Sequence, residues 1–331
     1  MSMRVLVTRN GLPGSGVERL GAAADPVFWT GGGKPGPEEL AALAPGAGAV
    51  LALGNDPVDA ALLDAAGPSL RVVALASMGY DNVDRAAAAE RGIVVTHTPH
   101  VLAETTADLA FALILAARRR LGAATADLAR GGWDLFRMHD YLGLDVHGAT
   151  LGLVGYGQIG RAVARRAHGF GMRVCHHDPY ATTGDALSTA TGLDELLAQS
   201  DIVSLHVPLT DETRHLISAR ELALMKPTAT LVSTARGGVV DEDALLHAVR
   251  EGQLHSAGLD VYEREPMGTE LSPLAAEENI VTLPHIGSAT HATRAAMVDL
   301  AVDNILDVLA GRPARTALPG TAAVPGIPTV T

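Results

Sequence analysis

Three side chains in the C-terminal half of the sequence have the types and spacing for chemistry: Arg236 in STARGG, Glu265 in DVYEREP and His285 in LPHIGSAT. Each follows a short strand-like run, and in doubly wound α/β folds ligands bind at the carboxyl ends of strands. A guanidinium binds a carboxylate through two parallel hydrogen bonds. An imidazole gives or takes a hydroxyl proton near neutral pH, and a carboxylate beside it orients the ring. Together the three suit hydride transfer between a 2-keto acid and a 2-hydroxy acid. Residue chemistry alone leaves other readings open. His285 is one of thirteen histidines and could cap or pack. Glu265 precedes Pro266 and could be a solvated loop carboxylate, and Arg236 could pair with Asp241 or Glu242.

Hydride chemistry needs a dinucleotide, and GYGQIG places Gly155, Gly157 and Gly160 after a strand-like run and before a helical one. The first glycine makes the tight turn, the second admits a pyrophosphate, and the third lets helix and strand pack closely. The amides of Gln158 and Ile159 would face the phosphates from a helix N-terminus. Asp178, 18 residues beyond Gly160, stands where a carboxylate accepts the 2′-hydroxyl of the adenosine ribose. That carboxylate repels a 2′-phosphate, and no arginine follows until Arg214, so the expected cofactor is NAD rather than NADP.

The elements that must position these groups form two series of strands alternating with helices. The first comprises 4–8, 26–29, 49–53, 71–76 and 93–97; the second comprises 150–155, 172–177, 202–207, 230–234, 256–261 and 279–284. Five βα units read as a flavodoxin-like domain, and six further strands as a Rossmann-type dinucleotide-binding domain. Long helices are expected over 103–130 and 290–310, the second closing on Gly311. The expected fold is therefore α/β, two doubly wound parallel sheets with the Rossmann-type domain inserted in the other. The expected boundaries are 1–100 with 289–318 for the substrate domain, 101–288 for the NAD-binding domain, and 319–331 for an extended tail. The Pro-, Gly- and Thr-rich stretch from Arg312 onward is expected to be extended or mobile.

Composition narrows the partners. The net charge is −12, with 37 acidic against 25 basic residues and no basic run, which argues against nucleic acid and acidic membrane surfaces. One cysteine, Cys175, excludes an intramolecular disulfide and a cysteine-built metal site; no metal is expected. MSMRVLVTR enters strand-like residues without a leader pattern, and the longest apolar run, 109–117, is too short to span a bilayer. A soluble cytoplasmic protein is the expectation.

TADLAFALILAARR, GYGQIG, TARGG with VVDEDAL after it, GLDVYEREP and LPHIGSAT together resemble the D-isomer-specific 2-hydroxyacid dehydrogenase family, over about 71–309. The resemblance implies Arg236 as anchor of the substrate carboxylate, His285 as acid/base and Glu265 as its partner. The 29-residue step from Arg236 selects Glu265 over Glu263. It also implies that the amides of Met78 and Gly79 bind that carboxylate and that Thr106 lies near the nicotinamide-side phosphate or ribose. Val207 and Pro208 would flank adenine, and Thr234, Ala235, Asp260, His285 and Gly287 would lie around the nicotinamide, with Asp260 taking its carboxamide. Small neighbours Ala235 and Gly237 would leave room for ring and substrate.

Ser233 departs from the asparagine that members often carry, without consequence for any role. Phosphite-oxidising relatives carry a lysine where Met78 stands, and the loop 52–59 has none of the arginines a phosphorylated substrate would need. A small uncharged pocket remains, which points to glyoxylate or hydroxypyruvate, with phosphite or another small anion as the alternative. NADH-sensing corepressors share the fold, so a binding module is the other class; a hydrolase with tightly held NAD is a third. The family further implies a homodimer through the NAD-binding domains. The aromatic segment WDLFRMHDY (133–141) is either plain packing or a lid or partner contribution at the pocket.

Overall fold

The structure, a computed structural model, describes residues 2–267 and 272–321. The chain forms two compact units: positions up to 102 together with those from 288 onward, and 103–287. In the first, β1 (Arg4–Val7), α1 (Gly16–Ala23), β2 (Asp25–Phe28), α2 (Pro37–Leu43), β3 (Ala49–Ala52), α3 (Ala60–Ala66), β4 (Val72–Leu75), α4 (Arg85–Glu90) and β5 (Val94–Thr96) alternate. Their parallel sheet has the order β2-β1-β3-β4-β5, the flavodoxin-like arrangement. Helices cover both faces, so the central strands are continuous Val, Leu and Ala runs rather than alternating ones. Asp59 and Asp84 start α3 and α4 by accepting the amides of Leu62 and Ala87.

The second unit opens with α5 (Ala103–Arg118) and α6 (Leu121–Ala129), then runs β6 (Thr150–Val154), α7 (Gln158–Gly169), β7 (Arg173–His177), β8 (Thr189–Ala190), α8 (Leu193–Gln199) and β9 (Ile202–Leu205). It continues with α9 (Ala219–Leu224), β10 (Thr230–Ser233), α10 (Glu242–Arg250), β11 (Ser256–Leu259) and β12 (Ile280–Thr282). The sheet order is β12-β11-β10-β9-β6-β7-β8, all parallel, and the order reverses between β6 and β9. This is the Rossmann-type switch point.

Two sequence expectations change here. A seventh strand, β8, joins the expected six; with two residues between polar neighbours, it has no hydrophobic pattern to announce it. The single helix expected over 103–130 is two. Arg118 is buried and donates to the carbonyls of Asp145 and Asp201, and Arg120 takes a left-handed backbone (φ 53°), which ends one helix and starts another. The segment 133–141 contains neither helix nor strand, and Trp133, Leu135, Phe136 and Met138 are exposed.

The chain returns to the first unit through α11 (His291–Leu309), N-capped by Thr290 and packed on α1, β3 and β4. Beyond it the expected mobile stretch is docked at least to Thr321. Ala317 bridges Thr96 in antiparallel fashion, Leu318 N donates to Val95 O, and Thr321 Oγ1 receives the amide of Val95. Residues 316–321 thus cover the outer edge of β5. The rest of the expected tail, 322–331, lies outside the described residues.

Candidate active site

β6 delivers the chain into Gly155, whose φ of 93° suits glycine and whose Cβ, if present, would meet the His206 carbonyl oxygen at 2.6 Å. A Cβ on Gly160 would strike the Gly155 carbonyl oxygen at 2.3 Å, so helix and strand meet this closely only because residue 160 is glycine. Gly157, in contrast, faces open space and begins α7 without a side-chain cap. The open space at Gly157 lies where α7 begins with the amides of Gln158 and Ile159, an arrangement that fits a pyrophosphate.

Asp178 sits at the carboxyl end of β7. Its Oδ2 accepts the amide of Tyr156 at 2.7 Å and its Oδ1 that of Tyr180 at 2.8 Å. The carboxylate is thereby tied to the glycine loop itself. Close by, the Tyr156 ring stacks on buried His176 with 3.9 Å between centroids, and the Arg161 guanidinium covers the ring at 4.3 Å. Asp185 holds both, accepting from Tyr156 Oη and from Arg161 Nη1. Burial, with help from Asp185, pushes the Tyr156 hydroxyl up to about 12, so it stays a donor. Asp185 has no sequence signature, because its partners come from an offset loop.

Further along the carboxyl edge, Arg236 follows β10 with extended backbone and starts a short 3₁₀ turn at Gly237–Val239. A Cβ on Gly237 would lie 1.8 Å from the Tyr262 carbonyl carbon. The expectation that Gly237 makes room for ligand is corrected: its missing side chain lets the Arg236 turn press backbone to backbone on the loop that carries Glu265. That loop is pinned by Tyr262, whose hydroxyl donates to the carbonyls of Leu259 and Leu283 and is pushed up to about 12 by burial.

Glu265 Oε1 accepts the Tyr262 amide at 2.8 Å, and Oε2 meets His285 Nδ1 at 2.6 Å. Burial alone would raise the Glu265 carboxyl, but the hydrogen bond and charge of His285, the Tyr262 amide and the nearby Arg236 outweigh it and hold it below its ordinary value. His285 takes a left-handed backbone (φ 52°), unusual for a non-glycine residue, and its side chain is 47% exposed, leaving the ring reachable. Arg236 Nη1 donates to the Ala235 carbonyl at 2.9 Å. Its alternative partners are engaged elsewhere: Asp241 caps α10, and Glu242 accepts the Glu263 amide.

Asp260 fixes the segment after His285, its two oxygens accepting the amides of Ile286 and Gly287, each at 2.7 Å. Burial raises its carboxyl despite those amides. Buried Thr106, on α5, donates to the Gly287 carbonyl at 3.2 Å, so it is joined to the same segment. Thr234 Oγ1 lies 3.5 Å from His206 Nδ1, and Ser204 Oγ lies 2.9 Å from its Nε2. Burial pushes this imidazole down to about 3, so it is neutral. The Ser204–His206 pair escaped sequence reading because it lies inside an apolar strand run. Val207 is half-buried beside Gly155, Pro208 is exposed, and Ala235 is buried. Among the described residues no three His, Cys, Asp or Glu side chains converge on a metal-sized site.

Met78 and Gly79 belong to the first unit and follow β4. The Ser77 hydroxyl donates to the Gly79 carbonyl at 2.6 Å, and His97 Nδ1 lies 2.9 Å from the Met78 carbonyl oxygen. The His97 ring also meets Tyr80 edge to face.

Residues 111–287 match the family model described as D-isomer specific 2-hydroxyacid dehydrogenase, NAD binding domain. The chain is 44% identical to a glyoxylate reductase from Korarchaeum cryptofilum over 310 residues, 92% of each chain. Among solved structures it is similar to the TT0316 protein from Thermus thermophilus (TM-score 0.89, 46% identity, 96% of this chain and 100% of that one). It is also similar to an NADPH-dependent glyoxylate/hydroxypyruvate reductase from Sinorhizobium meliloti (TM-score 0.84, 34% identity, 100% of both chains).

Proposed function

The chain belongs to the D-isomer-specific 2-hydroxyacid dehydrogenase family, and from that premise we propose that it reduces small 2-keto acids, glyoxylate and hydroxypyruvate foremost, to D-2-hydroxy acids with NADH. The observation that carries this reading is the 2.6 Å pair of His285 and Glu265, beside Arg236, on the sheet edge that also bears the GYGQIG cradle. Names of the relatives support the substrates: one is a glyoxylate reductase and another a glyoxylate/hydroxypyruvate reductase.

A bound nicotinamide dinucleotide supplies the hydride. Everything else falls to side chains. The amides at the start of α7 hold the pyrophosphate and Asp178 the ribose. Thr106, Val207, Pro208, Thr234, Ala235, Asp260 and Gly287 surround the remainder. Arg236 binds the substrate carboxylate through its fork. In the first unit, the amides of Met78 and Gly79 are assigned the same kind of ligand. As the keto carbon gains hydride, His285 Nε2 gives its proton to the keto oxygen, turning C=O into CH–OH, while Glu265 at Nδ1 steadies the charge that leaves with the proton. Solvent restores the proton before the next turnover.

Two features favour NADH over NADPH. The Asp178 carboxylate opposes a 2′-phosphate, and the nearby cation Arg161 is committed to Asp185. Steady-state rates with glyoxylate, hydroxypyruvate, pyruvate and bulkier 2-keto acids, each with NADH and NADPH, test the reading. The highest kcat/KM is expected for glyoxylate or hydroxypyruvate with NADH. A preference for NADPH would reject the cofactor assignment, and NADH binding without turnover of any 2-keto acid would favour a dinucleotide-sensing binding protein.

We extend the reading to a cytoplasmic homodimer joined through the second unit. Trp133, Leu135, Phe136, Met138 and Leu142 leave a run of exposed apolar side chains there, more than a solvated arm needs. Light scattering at micromolar concentration should give twice the chain mass; the chain mass itself would reject the dimer.

A further inference from the structure

We propose that His97 is a positioning residue for the substrate carboxylate, acting through the Met78–Gly79 peptide; the proposal rests on the reading that this loop's amides bind that carboxylate. His97 Nδ1 lies 2.9 Å from the Met78 carbonyl oxygen. A carbonyl only accepts, so Nδ1 carries the proton and donates. The Met78–Gly79 bond is trans, and in a trans peptide the C=O and N–H of one plane point in opposite directions. Holding the Met78 carbonyl toward His97 therefore aims the Gly79 N–H the other way. Ser77 Oγ, donating to the Gly79 carbonyl at 2.6 Å, holds the next plane in turn.

The histidine is itself firmly placed. Thr316 Oγ1 donates to the His97 carbonyl at 2.6 Å, and the Thr316 carbonyl accepts the His97 amide. Asn304 on α11 fixes Thr316 from both sides, through its Nδ2 to Thr316 Oγ1 and its Oδ1 from the Thr316 amide. The Tyr80 ring, 5.6 Å away and edge to face, limits rotation of the imidazole, and Arg85 covers that tyrosine. These anchors use the His97 backbone and ring plane, so the Nδ1 donor is the one contact of His97 that reaches the loop's peptide groups among those described. Backbone anchoring survives a side-chain substitution; the aimed amide does not.

Substitution separates the two roles. Asparagine places an amide nitrogen near the position of imidazole Nδ1, whereas leucine has the same shape and no donor. His97→Ala and His97→Leu are expected to lower kcat/KM for the preferred 2-keto acid about ten- to hundred-fold, the scale of one hydrogen bond to a charged group. The loss should appear mainly as a higher KM, with the NADH dissociation constant, read by nucleotide fluorescence, within about two-fold of wild type. His97→Asn should recover most of it. If His97→Ala fails to fold, the Asn and Leu variants still make the comparison. Wild-type kcat/KM in the donor-less variants, or an Asn variant as poor as the Leu one, overturns the positioning role while leaving the reductase reading intact. A wild-type protein that reduces no 2-keto acid overturns both.

Discussion

Glu265 carries two duties that a single substitution separates from each other. It orients His285, and it stands as a half-buried carboxylate whose ionised form is favoured by His285, the Tyr262 amide and Arg236. A carboxyl whose folded value is depressed contributes stability that is fully present above its unfolded value, near 4.5, and is lost as pH falls through the folded value. Thermal melts should therefore show Glu265→Gln less stable than wild type at pH 7, with the gap narrowing as pH falls below the ordinary carboxyl value of 4.5. A gap that persists unchanged into acid would mean the carboxylate adds nothing by being charged. For chemistry, His285→Ala should lower kcat by at least about 10²-fold, the usual scale for a lost acid/base, with NADH affinity little changed. Near-normal kcat would reject the assignment. Arg236→Lys keeps the charge and loses the fork, so kcat/KM should drop through weaker substrate binding; an unchanged value would remove the anchor role. Arg236, Glu265 and His285 stand out in the sequence because each follows a strand and carries chemistry. Their closeness does not, since it depends on Gly237 letting one loop press on another, a steric fact with no charge or pattern to mark it.

At the level of elements, legibility followed hydrophobic pattern. Short apolar and β-branched runs located β1 to β7 and β9 to β12 to within a residue or two, most plainly at central strands, which are buried on both faces and need such runs. β8 has two residues and no apolar run, so only its pairing with β7 defines it. The break between α5 and α6 was invisible for a different reason. Arg118 reads as the solvated end of a basic run, yet it turns inward to carbonyls 27 and 83 positions away in sequence. Desolvation lowers its guanidinium, and the carboxylates of Asp201 and Asp145 offset part of that cost. Arg118→Ala would remove both bonds, leaving the Asp201 carbonyl only the Thr230 amide, and should destabilise the protein by about 3 kcal/mol, at two charge-assisted hydrogen bonds of roughly 1.5 kcal/mol or more each. Urea denaturation reads this directly; a change below about 0.5 kcal/mol, the range of ordinary surface substitutions, would show the buried guanidinium to be dispensable.

Over the whole molecule, the chain leaves its first unit after residue 102 and returns to it at 288, so the Rossmann-type unit is built as an insertion between two parts of the other. No helix among the described residues is long and apolar enough to cross a membrane. The acidic balance of 37 to 25 opposes indiscriminate association of copies by charge. The short return of residues 316–321 along β5 has a colloidal consequence. It occupies the backbone donor and acceptor of Val95, in the β-branched run Val94–Thr96 that would otherwise present a bare template on which another chain could grow. A protein cut after Arg315 should still form its two sheets but accumulate, on standing, as large thioflavin-binding species that sediment ahead of the intact chain. If the cut protein stays dispersed, β5 guards itself; if it does not, residues 316–321 act as this fold's safeguard against polymerising through its own sheet.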